Sequence, residues 1–162
     1  MGYARRLMRS KLPVLIAGMM LLAASCNRST TQTTMSTYND GYVELAGQLV
    51  NVEVADDSQE MQRGLSGRES ISEDEGMLFV YSSGTVPGFW MKDMLMPIDI
   101  IWIRNGRVVA ISEQVQPEPG IPDDQLKIYN PGTQVDHVLE VQAGWSGKNG
   151  LKIGDEVKFF RS

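Results

Sequence analysis

A chain of 162 residues has room for one domain with a hydrophobic core and little else. It carries 15 Lys and Arg against 20 Asp and Glu, a net charge of −5, with 42% apolar residues and a single cysteine. The composition is that of a globular protein, and the acidic balance argues against nucleic acid as the main partner.

The first 26 residues, "MGYARRLMRSKLPVLIAGMMLLAASC", differ from the rest. Arg5, Arg6, Arg9 and Lys11 come first without an acid, and an apolar run follows from Leu12 to Ala24. That run is shorter than a membrane span and has the form of a secretory signal. It ends in small residues, Ala23-Ala24-Ser25, directly before Cys26. This ending resembles a bacterial lipobox. Residues 1–25 then read as a signal peptide, and Cys26 as the lipidated first residue of a lipoprotein. Its expected partner is the membrane, held through that lipid. The expected place is the periplasmic face of the cell envelope. The outer membrane is favoured because Asn27, and no aspartate, follows the anchor. With Cys26 acylated the domain has no thiol, so disulfides and cysteine catalysis drop out. Loss of residues 1–25 removes four basic residues and leaves 11 against 20, a net charge of −9.

Residues 26–41 are rich in Ser and Thr and poor in apolar surface, which predicts a flexible polar tether. A single β-rich domain is expected over 42–162. "QLVNVEVAD" alternates Val50, Val52 and Val54 with polar residues and predicts a half-buried strand. Asp57 precedes Glu60 by three positions, a capping-box-like start, so a short helix should run to about Leu65 and stop at Gly64 or Gly67. Met77 to Ser82 reads as an apolar strand. "GFWMKD" reads as a short extended piece with a turn at Lys92-Asp93. "PIDIIWIR" and "RVVAISEQV" flank Asn105-Gly106, a two-residue hairpin turn. Pro117 to Pro131 holds four prolines and reads as a long loop. "DHVLEVQA" is a strand, "GWSGKNG" a turn or single helical turn, and "DEVKFF" a closing strand. Six or seven short strands without long crossover helices predict a mainly β fold, a small antiparallel β-barrel or sandwich with one or two short helices.

Several chemistries find no support. Met91, Met94 and Met96 resemble soft thioether ligands, but on a strand Met91 would face away from the other two, and methionine commonly fills cores. The one histidine, His137, lacks a nucleophile elbow to serve. No phosphate loop, dinucleotide fingerprint or zinc spacing is present, so no metal and no cofactor is expected. What remains is charge within apolar strands. Asp99 lies between Ile98 and Ile100, Glu140 between Leu139 and Val141, and Lys92 follows Phe89-Trp90-Met91, while Arg63 and Arg68 flank the helix end. Buried charges need partners. Asp99 and Glu140 either lie on solvated strand faces or meet Arg63, Arg68 or Lys92 in one polar site.

"RGLSGRESISEDEGMLFVY", "FWMKDMLMPIDIIWI", "VLEVQAGW" and "GLKIGDEV", in that order, resemble the uncharacterised bacterial and archaeal family called domain of unknown function 192. The resemblance covers about residues 48–160. It implies a compact, mostly β fold and no established activity. It marks Arg63, Arg68, Phe89, Trp90, Met91, Lys92, Pro97, Asp99 and Glu140 as signature positions. The chain departs from the family pattern at Ser66, Asp93 and Met94, where methionine, asparagine and threonine are usual.

The expectation is a monomeric envelope protein, a binding module rather than an enzyme. It would take a small polar or anionic ligand, or an envelope component, in a cleft of Arg63, Arg68, Trp90, Lys92, Asp99 and Glu140. Trp90 would stack on the ligand and the cations would hold its charge. Two rivals are a hydrolase on a cell-wall or sugar substrate, with Asp99 and Glu140 as its acid and base, and a structural or assembly lipoprotein marked by an exposed apolar patch.

Overall fold

The computed structural model describes residues 40–162. The expected signal peptide, Cys26 and nearly all of the expected tether lie outside the described residues. Seven strands are present: β1 (Gly41–Leu45), β2 (Gln48–Ala55), β3 (Glu75–Thr85), β4 (Ile98–Arg104), β5 (Arg107–Val115), β6 (Val135–Gln142) and β7 (Val157–Arg161). They form one sheet in the order β5-β4-β6-β3-β2-β1-β7. The sheet curls so that its first and last strands approach each other. Val108 N donates to Asp155 O at 3.0 Å, and Val157 N donates to Gly106 O at 2.8 Å. The architecture is therefore the small, barrel-like β fold expected from sequence.

Two details differ from the expectation. β1 was not foreseen. It pairs with β2 through a tight turn in which Ala46 and Gly47 both have positive φ, 49° and 73°. Alanine rarely adopts that conformation, so Ala-Gly is a weak hairpin signal. The sheet is also not wholly antiparallel, because β2 and β3 run parallel. A parallel pair needs a crossover of a dozen or more residues. Residues 56–74 supply it, and they contain the helix α1 (Ser58–Arg63).

The Asp57 carboxylate caps α1 by accepting from Gln59 N and Glu60 N, both at 2.8 Å. Gly64 ends the helix with φ 50° and ψ −137°. A residue with a Cβ strongly resists that backbone conformation. Asn105-Gly106 makes the expected turn between β4 and β5, again with both φ positive. "GWSGKNG" forms the single-turn helix α2 (Trp145–Lys148).

The central strands are covered on both faces. On one face Met77, Phe79, Ile100, Trp102 and Val138 pack beneath α1 and the segment Phe89–Met96. On the other, Val43, Val52, Leu78, Ile101, Ile103, Leu139 and Val141 fill the inside of the curl with Trp145. β4 is buried at every position but its last, which explains its near-continuous apolar run. Met91, Met94 and Met96 are all buried in the first cluster, where they serve as packing. Among the described residues no helix is long and apolar enough to cross a membrane.

Candidate functional site

Strand register places four side chains abreast on one face of the sheet. Glu53 on β2 pairs with Met77 on β3, Met77 with Glu140 on β6, and Glu140 with Ile100 on β4. Glu140 thus lies between two apolar neighbours in a strand covered on both faces. It retains 5% of its exposure, and its Oε2 has no hydrogen-bond partner. Burial pushes the carboxyl up from 4.5 to about 8, with Arg68 pulling it partly back. Burial disfavours the charged form because the apolar surroundings cannot solvate it.

Glu140 opens onto a cavity of about 420 Å³ between β3, β6, α1 and the Gly88–Met94 segment. The volume suits a small molecule. Phe79, Tyr81, Phe89 and Trp90 give it aromatic walls, and Met61, Leu65 and Met94 give it apolar ones. Phe89 stands edge-on to Phe79 with centroids 4.8 Å apart and to Trp102 at 5.2 Å, so its ring is held from two sides. Tyr81 is pushed up to about 12, first by burial and then by the charge of Glu140.

The helix end closes over the acid. A Cβ on Gly64 would lie 3.5 Å from the Phe79 ring and 3.8 Å from Glu140 Oε2. The turn after α1 is then pinned to the Lys92-Asp93 turn. Ser66 Oγ donates to Lys92 O at 2.8 Å, and Gly67 N donates to Asp93 O at 2.8 Å. Asp93 adopts φ 55°, a conformation that Asn and Asp tolerate better than most residues. Just before this turn, Trp90 stands at the mouth of the cavity, 44% exposed.

The residues expected to form the site separate into four groups. Arg63, Trp90 and Glu140 do line the cavity. Lys92 lies in a shallower adjoining groove shared with Arg63 and Trp90, and its ammonium pairs with Asp123. Arg68 Nη2 binds Glu53 Oε2 at 2.5 Å, and Arg63 reaches the other oxygen of Glu53 at 3.7 Å.

Asp99 is elsewhere. It pairs with Val141 on β6, so its side chain points to the opposite face from Glu140. Its Oδ1 accepts from Gln114 N at 2.8 Å and Gly144 N at 2.9 Å, and its Oδ2 accepts from Ser146 N at 2.8 Å. The partner of Asp99 is backbone, and neither Arg63, Arg68 nor Lys92. Asp99 leaves the proposed ligand set, and an acid–base pair of Asp99 with Glu140 is geometrically closed, because the sheet lies between them. His137 Nδ1 pairs with Asp136 Oδ1 at 2.8 Å, toward the other end of β6 from Glu140. Among the described residues no cluster of three or more His, Cys, Asp or Glu could hold a metal.

Sequence reasoning missed Tyr81, Phe79 and Met61 as lining residues. The alternation Met77, Phe79, Tyr81 in "GMLFVY" was the available signal, since it places Tyr81 on the face of Glu140.

Comparison with known proteins agrees with this architecture. The sequence pattern of DUF192, described as "Uncharacterized ACR", matches residues 42–159. The chain belongs to the DUF192 family. No functionally curated protein matches it. One similar crystal structure is a protein of unknown function from Novosphingobium aromaticivorans DSM 12444. It is 27% identical with a TM-score of 0.66, over 72% of this chain and 83% of that one. Another, a provisionally assigned transcription regulator from Sinorhizobium meliloti 1021, is 28% identical with a TM-score of 0.67, over 75% and 95%. In this DUF192 protein the departures from the family pattern remain compatible with the turn geometry. Asp93 keeps the positive φ, Ser66 supplies a hydrogen bond, and Met94 packs in the core.

The two buried acids should respond oppositely to amidation. In Asp99→Asn an NH₂ replaces one accepting oxygen and confronts a backbone N–H. The cost is about 3 kcal/mol, seen as a fall in Tm of roughly 10 °C. Glu140→Gln instead removes a group whose folded pKa is raised. The native Glu140 favours folding fully below its unfolded value of 4.5, and that contribution is lost as the pH rises to about 8. Glu140→Gln should therefore gain on the parent across that window, by on the order of a few kcal/mol at its upper end. Denaturant unfolding at pH 5 and pH 8 measures both. An unchanged gap between the two pH values would contradict the Glu140 assignment.

Proposed function

We propose that this DUF192 protein is a non-enzymatic binding module that takes a small polar ligand in the cavity above Glu140. The observation carrying this reading is the orphaned carboxyl oxygen of Glu140, buried beside a cavity of about 420 Å³. A buried carboxyl oxygen without a partner lowers stability, and structures rarely keep one without use. Aromatic walls with a few convergent polar groups are the usual make-up of a ligand site. Trp90 at the mouth offers a stacking face, and Arg63 and Lys92 lie on the rim.

The reading favours a binder over a hydrolase because, among the described residues, Glu140 is the one carboxylate lining the cavity, and Glu53, abreast of it on the sheet, is engaged by Arg63 and Arg68. It favours a ligand over pure assembly because the exposed Trp90 borders a cavity and not a flat patch. The acidic net charge argues against transferring the regulator description of the Sinorhizobium protein to this chain.

The same proposal places the domain at the periplasmic face of the outer membrane, held by a lipid on Cys26. The basic start, the short apolar run and the small residues before Cys26 support it. Cys26→Ser should then move the full-length protein from the membrane to the soluble fraction. Retention in the membrane through the lipid-free chain would contradict the anchor.

A fragment screen by NMR on the full-length protein tests the site. Fragments should shift resonances of Tyr81, Phe89 and Trp90. Met61→Trp, which fills the cavity, should weaken those hits by tenfold or more while the fold is kept. Hits that cluster elsewhere, or that ignore Met61→Trp, would overturn the reading.

A further inference from the structure

We infer that the cavity takes a small organic cation of the alkylammonium class, with Glu140 as its counter-ion. This rests on the ligand-binding reading above and names the chemistry of the ligand.

The inference starts from the charges that face Glu140. On β3 it meets Tyr81, whose hydroxyl is neutral at physiological pH, and the apolar Met77. On β2 the abreast residue is Glu53 by way of Met77, and on β4 it is Ile100. From α1 and the turn after it come Arg63 and Arg68, both bound to Glu53. From the Gly88–Met94 segment the only cation is Lys92, which lies in the adjoining groove and pairs with Asp123. On β6 itself, Asp136 and His137 pair with each other. Every cation near the cavity thus already has an acidic partner. The acid inside it has an oxygen with none.

An anionic ligand would have to draw Arg63 from Glu53, or Lys92 from Asp123, and would then approach Glu140. A cationic ligand meets the opposite situation. It supplies a donor and a counter-charge directly at Oε2, and the rings of Phe79, Tyr81, Phe89 and Trp90 on the walls favour a cation over an anion through their quadrupoles. Met61 and Met94 add polarisable sulfur. The exchange balances. The ligand enters as R–NH₃⁺, the Glu140 carboxyl gives its proton to solvent, and an ammonium–carboxylate pair with N–H···O bonds remains. The cavity gains no net charge, and the attraction between ammonium and carboxylate offsets the cost of burying the two charges.

Binding should then tighten as the pH rises through the titration of Glu140. With that carboxyl at about 8, the ionised fraction, and with it the apparent affinity, grows about tenfold between pH 7 and pH 9. An alkylamine stays cationic over that range because its own pKa is near that of lysine, roughly 10.4.

The test is an NMR titration of the full-length protein with n-butylammonium, n-butyrate and n-butanol at pH 7 and pH 9. Butylammonium should bind tightest, shift the cavity resonances, and gain about tenfold on raising the pH. Glu140→Gln should weaken it and flatten the pH response. If that variant does not fold, the pH response of the parent still decides. Tighter binding of butyrate or butanol in the same cavity would overturn the cation while leaving a ligand site. An affinity for butylammonium that is flat or falls with pH would do the same. Failure of all three probes to touch the cavity would count against both the cation and the site.

Discussion

β4 and β6 run through the middle of the sheet with apolar cover on both faces, and each carries one buried acid. Much of the domain's local architecture follows from how those two carboxyls are accommodated. Asp99 is met by three backbone N–H groups from β5 and from the start of α2. To supply the first of them, β5 breaks its register and Gln114 adopts φ 50°. To supply the others, Gly144 turns left-handed at φ 83° ahead of α2. The acid therefore fixes how β5 leaves the sheet and where α2 begins. Removing such an acceptor leaves several donors buried and unpaired, which costs more than the bonds themselves contribute.

Glu140 is the contrary case. Its neighbours across the sheet are Met77 and Ile100, and α1 ends directly above it at Gly64. Arg63 and Arg68 pair with Glu53, and Arg68 offsets only part of the burial of Glu140. The carboxyl is thus kept neutral at physiological pH in an apolar wall, and its Oε2 has no hydrogen-bond partner beside the cavity. The same sheet uses one acid to build structure and leaves an oxygen of the other unsatisfied. That asymmetry is the physical reason for assigning function to Glu140 and not to Asp99.

Much of the fold was legible in the sequence because it is written locally. The alternation in "QLVNVEVAD", the Asp57 cap, the Asn105-Gly106 turn and the single turn at Trp145 each depend on a few adjacent residues, and each is present. β1 escaped because its turn relies on an alanine in an uncommon conformation. The parallel β2–β3 pair escaped because a six-residue helix looks too short to serve as a crossover, although the connection that contains it is long enough. The site was legible in part. Arg63, Trp90 and Glu140 meet at one cavity, and Lys92 stands beside it. Asp99 was misplaced because alternation in a strand buried on both faces does not tell which face is the site. Its true partners are backbone groups up to 47 residues away, which no side-chain pattern reveals. Tyr81 was overlooked because its signal, one aromatic in an apolar strand, is the signal of ordinary core.

The central claim is that Glu140 is a buried acid with one unpartnered oxygen, neutral at physiological pH. The most direct measurement is the pH titration of its side-chain carboxyl carbon by ¹³C NMR, assigned through the loss of that signal in Glu140→Gln. A midpoint near 8 is predicted. A midpoint near the ordinary 4.5 would mean that the carboxyl is solvated or paired, and the account of the site would be wrong.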